Sequence, residues 1–531
     1  MSIIKLEISL KRVQSFIFDV PKLKAMLGAN AMIGETMRNV LPGLMERNGK
    51  GCKFIWPEDI KYDLKDDCLK GLKEHLDDPA MLYQKGILAR DGGHFIVAFS
   101  EESDAKAFRE LAEKELAKHL PGVLFQARIK PLEQTEDEKN LKKAPEEDST
   151  QTVPQEIHVL NLPVLQICQV TGKEPASPQE EGKDIPVARS VTERENKGKE
   201  FNQGHACDII GLMHDSLYPD KDMGWKRPND LAALVSGDYL ALIHADGNGI
   251  GLRYKEWKDK EKSVKPEHNE ARGEIFYRSM RVAARKAVVS ALSKTFTERG
   301  GNRPYQVLML GGDDLLLVCR AKNALEFAHN YAHELKNYKL ADGNPLHVAL
   351  GVVIAQSSYP LHRLHELAEN LASSAKRLYR ALPVGERTSV IDWQIVTQSW
   401  FADVEVARQQ GEKRVYAVDD KTETLLFTDR PYRVLGNDSL EGLLTSAKAL
   451  GGKDDNKVSR SALRGLRGAC EQGRLTGELA FERLPDCVRK VLSIDDRKLW
   501  QQCEENKPLY MTRALDVIGI WEISRLGGIN D

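Results

Sequence analysis

Hydrophobic and polar positions repeat one pattern twice along this chain. Residues 3–10 (IIKLEISL) alternate as a half-buried strand does, and residues 13–47 carry Phe16, Phe18, Leu23, Met26 and Leu27 at roughly helical spacing, with a break near Pro21. Residues 86–100 (GILARDGGHFIVAFS) read as strand, Gly-Gly turn and strand, followed by a helix over 105–119 and a strand over 123–129. Strand, helix, hairpin, helix, strand is the order of a ferredoxin-like unit, with helices on one face of an antiparallel sheet. The succession returns as a strand at 239–244 (YLALIH), a long helix at 270–297, a hairpin at 305–320 (YQVLMLGGDDLLLVCR), a helix at 324–335 and a strand at 347–356. A helix over 362–382 and a strand over 389–393 close this second copy.

The intervening and following stretches differ in kind. Residues 134–155 are charged and lack apolar periodicity, which predicts a linker or exposed insertion. Residues 157–170 suggest a strand pair, and 197–235 are mixed and partly helical. Beyond 397, strand-like pieces within 414–434 precede a mostly helical stretch at 440–526, with Leu463, Leu466, Leu475, Leu479, Leu484, Val488 and Val491 as its apolar positions. The expected division is a first ferredoxin-like domain at 1–133, a linker and middle domain at 134–235, a second ferredoxin-like domain at 236–396 and a mainly helical domain at 397–531. The fold class is α+β.

Composition narrows the function classes. Of 531 residues, 41% are hydrophobic and 29% charged, ordinary for a globular chain, and the net charge of -2 provides no general basic field for nucleic acid. Contacts to RNA must then be local or shared with partners. No run of 18 apolar residues and no signal-peptide pattern occurs, so a cytoplasmic location and no membrane partner are expected. The eight cysteines include no C-x-x-C pair, which predicts reduced thiols.

The chemistry gathers in the second copy. Gly311 and Gly312 give the hairpin a permissive turn with Asp313 and Asp314 at its tip. Taken alone, the turn is equally compatible with solvated acidic residues. The strand at 239–244, however, runs into Asp246, Gly247, Asn248 and Gly249, and in a ferredoxin-like sheet the first strand neighbours the hairpin. Three converging carboxylates repel one another and call for cations. With oxygen donors and only His244 as a nearby nitrogen, Mg2+ or Mn2+ is expected over zinc. The glycine-rich backbone from 247 onward can approach a triphosphate, and Gly247 offers a carbonyl to a metal. On the helix after the last strand, Lys376 suits either the helix dipole or a phosphate. Such a site performs two-metal nucleotidyl transfer, yielding a chain, a ring or a cyclic mononucleotide.

The carboxylate loop, the GGDD hairpin and the Ala375-Lys376 helix together resemble the palm, or nucleotide-cyclase-like, domain shared by GGDEF-type cyclases and the large subunit of type III CRISPR effectors (Cmr/Csm type). Two palms, the first degenerate and opened by residues 11–34, with a middle and a C-terminal helical domain, are similar to the CRISPR subunit along essentially the whole chain. The resemblance implies a synthase that converts ATP to cyclic oligoadenylate when the guide RNA-loaded complex captures target RNA, alongside the other effector subunits. Asp246, Asp313 and Asp314 would hold the metals and act catalytically; Gly247, Asn248, Gly249, Gly311, Gly312 and Lys376 would contact the nucleotide. Two ATP molecules would lie between the palms.

Three features depart from the family pattern. The chain opens on the palm strand, without the HD nuclease domain of many relatives, and its His214-Asp215 pair lacks the further ligands of such a site. Cys168 keeps one cysteine of a zinc motif, with Cys207 and His205 as the nearest further ligands, so zinc is not expected. Asn248 stands where the family usually has a second carboxylate. Two alternatives remain open: a catalytically silent structural subunit, and a stand-alone GGDEF-like cyclase.

Overall fold

A computed structural model describes residues 3–61, 78–90, 92–132, 166–177, 185–202, 214–235, 239–260, 266–396, 406, 408, 411–418, 421–451, 458–493, 498–503 and 507–526. The expected linker at 134–155, most of the strand pair at 157–170, Asp91, His205 and Cys207 lie outside them.

The alternating start of the chain forms β1 (Ile4–Lys11), whose Leu6, Ile8 and Leu10 are buried. The helical stretch divides at Pro21 into α1 (Val13–Phe18) and α2 (Leu23–Glu35), continuing through a π turn into α3 (Leu41–Asn48). Then come β2 (Ile87–Ala89), β3 (His94–Phe99), α4 (Glu102–His119) and β4 (Leu124–Pro131). The sheet order is β2-β3-β1-β4, antiparallel throughout, which is the ferredoxin-like arrangement. The middle helix α5 (Arg189–Asn202) lies across α2 with almost no gap. A Cβ on Gly28 would sit 1.8 Å from the Arg194 carbonyl oxygen, and one on Gly198 would sit 2.0 Å from that of Lys24. Only glycine allows two helix backbones so close.

The second copy repeats the topology with additions. It comprises β5 (Tyr239–Gly247), α6 (Ile250–Lys260), α7 (Pro266–Thr295), β6 (Tyr305–Gly311), β7 (Asp314–Arg320), α8 (Ala324–Leu335), β8 (Val348–Gln356), α9 (Leu361–Ala381) and β9 (Val390–Ile395). Its core order, β8-β5-β7-β6, matches the first sheet. The α9 crossover adds β9 parallel to β8, which explains why β8 reads as a continuous apolar run: helices cover a strand of this kind on both faces. The long α7 ties the copies together. Its Ala271 and Ile275 pack with Phe54, Tyr83 and Leu88 of the first copy, while Phe276 and Met280 enter the core of the second. α6 is a helix the polar sequence did not announce.

C-terminal to this lie β10 (Lys413–Val418), β11 (Lys421–Leu426), β12 (Tyr432–Arg433) and α10 (Leu440–Leu450), then α11 (Arg460–Cys470), α12 (Arg474–Glu482) and α13 (Asp486–Leu492). β13 (Gln501–Gln502), β14 (Leu509–Met511) and α14 (Ala514–Ile523) follow. The helices share this region with a four-stranded sheet, β10-β11-β14-β13, and β12 extends the sheet of the second copy across the expected boundary at 396/397. Among the described residues no helix is long and apolar enough to cross a membrane.

Candidate functional site

The site forms at one edge of the second sheet because register places it there. β5 pairs with β7 from Leu240 opposite Arg320 to Ala245 opposite Leu315, so the next residues on each strand, Asp246 and Asp314, come side by side. The β6–β7 turn closes with Gly311 opposite Asp314. Gly312 has φ +60°, the left-handed region that admits glycine most readily, and this conformation turns Asp313 back towards β5. Gly247 is required for a different reason: a Cβ there would lie 2.5 Å from Asp313 Oδ2. As a result, Asp246, Asp313 and Asp314 each present a carboxylate oxygen within 4.8 Å of the other two.

Their electrostatics are those of crowded, half-buried acids. Burial, then the charges of Asp313 and Asp246, pushes the Asp314 carboxyl up to about 7. Asp313 is also raised, by burial first and by Asp246 among its neighbours. Lys376 Nζ, from α9, forms an ion pair with Asp246 Oδ2 and, among the described residues, is the one ammonium paired with the triad. The three acids with one lysine thus retain excess negative charge that a hard divalent cation would neutralise, and the donor set, all oxygen, fits one. Among the described residues this is the only candidate metal cluster.

Other expected residues are placed less directly. Asn248 donates its backbone N–H to the His347 carbonyl (2.8 Å), but its side chain is 2% exposed and its Nδ2 has no partner, so the amide is not presented to solvent. Gly249 lies on the open side of the loop, with the Tyr379 hydroxyl 3.9 Å from where its Cβ would be. Gly311 is exposed and faces open space. His244, the candidate nitrogen ligand, is 5% exposed and lies against the His365 ring (centroids 5.7 Å) outside the carboxylate cluster. At the equivalent edge of the first copy, Ser9 Oγ and His94 Nδ1 share a hydrogen bond (2.9 Å) where the second copy gathers acids. Cys168 is buried at a turn, its carbonyl accepting from the Gly172 N–H (2.9 Å). Burial raises its thiol, but hydrogen bonds from the Thr171 side chain and from the backbone of Thr171, Ala188 and Val170 outweigh this and leave it lowered. No described residue completes a metal cluster with it.

Several site neighbours escaped the sequence reading. Tyr331 on α8 is fully buried with an unpartnered hydroxyl, and its ionisation is suppressed by burial and then by Asp313 and Asp314. Tyr277 on α7 is 37% exposed; its ionisation is suppressed by burial and then by Asp313. The Phe18 ring of the first copy lies against His365 (centroids 4.4 Å, planes tilted by 30°), so α1 reaches the helix that carries Lys376. Helical periodicity marks which face is buried, not which site a helix passes, and no local signal singles these residues out.

The decisive comparison concerns this sheet and its helices. Residues 239–381 match the family model of the Cas10/Cmr2 second palm domain. This segment is similar to a Cas10/Cmr2 second palm. It contains the whole carboxylate triad and Lys376. The sequence matches no curated protein. Among solved structures, the Csm1-Csm4 cassette in complex with AMPPNP and the same cassette with cA4 each align at TM-score 0.52 and 12% identity, covering 98% of this chain and 69% of theirs. The cassette with pppApApA aligns over the same shares at TM-score 0.52 and 13% identity. At such identity the likeness concerns fold, and it extends across nearly the whole chain. The resemblance to the type III CRISPR large subunit is borne out by the family model over the palm, the α+β class expected with it holds, and the remainder of the chain shares the fold of these structures.

Proposed function

We propose that this chain is an RNA-guided type III effector subunit whose second palm joins ATP into cyclic oligoadenylate, or a related adenylate product, by nucleotidyl transfer. The convergence of Asp246, Asp313 and Asp314 carries this reading, because three oxygen donors within 4.8 Å have the makings of a two-metal phosphoryl-transfer site. The solved relatives bound to AMPPNP, cA4 and pppApApA support the choice of adenylate.

Asp246, Asp313 and Asp314 would hold Mg2+ or Mn2+, which supplies a more acidic acceptor hydroxyl and charge neutralisation for departing pyrophosphate. The chain does the rest. Gly247 and Gly249 keep the loop free of side chains so that phosphates can approach its backbone. Lys376, paired with Asp246 here, is placed to exchange that carboxylate for a phosphate oxygen. The first palm, with its hydrogen-bonded Ser9–His94 pair, offers a surface for the acceptor nucleotide. Other effector subunits, guide RNA and target RNA are the partners, and the protein works in the cytoplasm. The test is to incubate the protein, alone and with co-purified subunits and RNA, with each labelled nucleoside triphosphate and Mg2+ or Mn2+, and to identify products by mass spectrometry. ATP-dependent pyrophosphate release with oligoadenylate products is expected; its absence in both preparations overturns the reading.

A further inference from the structure

We propose that Tyr277, backed by Tyr254, is the platform on which the base of the bound nucleoside triphosphate stacks; this rests on the nucleotidyl-transfer reading above. α7 passes from one palm to the other within a few turns. Glu274 lines a crevice with Leu88 and Arg90 of the first palm. Met280 belongs to the core of the second, and its Cε is 3.3 Å from where a side chain on Gly312 of the GGDD turn would begin. Tyr277 lies between them, three residues before Met280 and so on the same helix face. It therefore stands where the palms meet, beside the turn that carries Asp313 and Asp314.

The ring is held ready. Tyr254, on the helix that begins where the glycine-rich loop ends, packs against Tyr277 with centroids 4.8 Å apart and planes tilted by 34°, and is itself fixed against Phe276 at 5.7 Å. Yet Tyr277 keeps 37% of its surface open, the only aromatic ring among the exposed large hydrophobic side chains of the described residues. A partly exposed aromatic ring beside a carboxylate cluster has the chemistry to receive a nucleobase, since every base has a π face and stacking tolerates its identity. The platform thus supplies affinity and alignment, and leaves base selection to other groups.

The bland role for Tyr277 is to complete the aromatic cluster with Tyr254 and Phe276, in which case its loss lowers stability without touching nucleotide affinity. Binding of two probes to the full-length protein with Mg2+ separates the two roles: the α,β-methylene analogue of ATP, and tripolyphosphate, which has the charged tail and no base. Tyr277→Ala is expected to weaken the ATP analogue about tenfold, within the span of one base–aromatic stack, and to leave tripolyphosphate unchanged. Tyr277→Phe keeps the ring and is expected to bind both as the wild type does. Thermal unfolding checks that each variant is folded, and Tyr277→Leu, which fills the space without a π face, serves if Ala is not. Unchanged affinity for the ATP analogue in folded Ala or Leu variants, or a parallel loss of tripolyphosphate, overturns the platform and leaves the nucleotidyl-transfer reading standing. Failure of the wild-type protein to bind the analogue overturns that reading and the platform with it.

Discussion

Lys376 Nζ is paired with Asp246 Oδ2, joining α9 to the end of β5 and giving the carboxylate triad a cationic neighbour. The pair is only partly exposed, 24% and 32% for the two side chains, so its charges feel each other through a medium less polar than bulk water. Lysine and a divalent cation compete for the same carboxylate, which sets opposite signs for two measurements. Lys376→Met is expected to strengthen Mn2+ binding in the absence of nucleotide, because Asp246 is freed. The same change is expected to slow ATP turnover by about 10- to 100-fold, the worth of one charged contact to phosphate. Calorimetric titration with Mn2+ and a pyrophosphate-release assay check the two halves.

Asp314 yields a pH prediction. Its carboxyl is raised to about 7 in the folded protein from the ordinary value of 3.8, so the unfolded chain gives up this proton first. The group therefore favours the folded state at low pH, and that contribution is lost as pH rises from about 4 through about 7. A bound cation reverses the balance by preferring the ionised form. The thermal upshift on adding Mg2+ or Mn2+ should be small at pH 5.5 and larger at pH 8. An upshift that is equal at both, or larger at pH 5.5, contradicts the assignment of Asp314 as a ligand.

Gly247→Ala tests how tightly the triad is built. The new methyl would meet Asp313 Oδ2 at 2.5 Å and Ile250 Cγ1 at 2.8 Å. Asp313 must move aside, at a cost of about 1–3 kcal/mol in stability. Denaturant unfolding should report that loss, and ATP turnover should fall more steeply than folding does, because a carboxylate displaced by 1 Å loses its alignment.

Gly28→Val addresses the scaffold. Its side chain would drive into the Arg194 carbonyl, 1.8 Å from the Cβ position, and separate α2 from α5. A loss of about 3 kcal/mol or more is expected in denaturant unfolding, in the upper range for a single core substitution. No such loss would mean that the first palm does not depend on this helix contact.

The sequence made the two ferredoxin-like units and the acidic triad legible, and the physics explains why. Strand alternation, glycine turns and carboxylates at strand ends are local signals, and the sheet order turns them into proximity, so Asp246 could be placed beside Asp314 from topology alone. Relations across the chain were harder to read. The Lys376–Asp246 pair, Phe18 on His365 and the place of Tyr277 between the palms depend on where helices pass, which periodicity does not encode. β13 and β14 have two and three residues, too short for a period of two to show, and so a C-terminal sheet went unseen beside the helices. Asn248, a nucleotide contact only by the family resemblance, is 2% exposed. The Cas10/Cmr2 palm match falls on the copy whose pattern is strongest in the sequence.

The most direct test is the pair of substitutions Asp313→Ala and Asp314→Ala made together in the full-length protein, assayed with its co-purified subunits and RNA for products from ATP and Mg2+ or Mn2+. The account predicts loss of oligoadenylate and pyrophosphate, with the protein still folded, and loss of the cation-induced thermal upshift. Turnover and upshift equal to the wild type would place the chemistry elsewhere and contradict it.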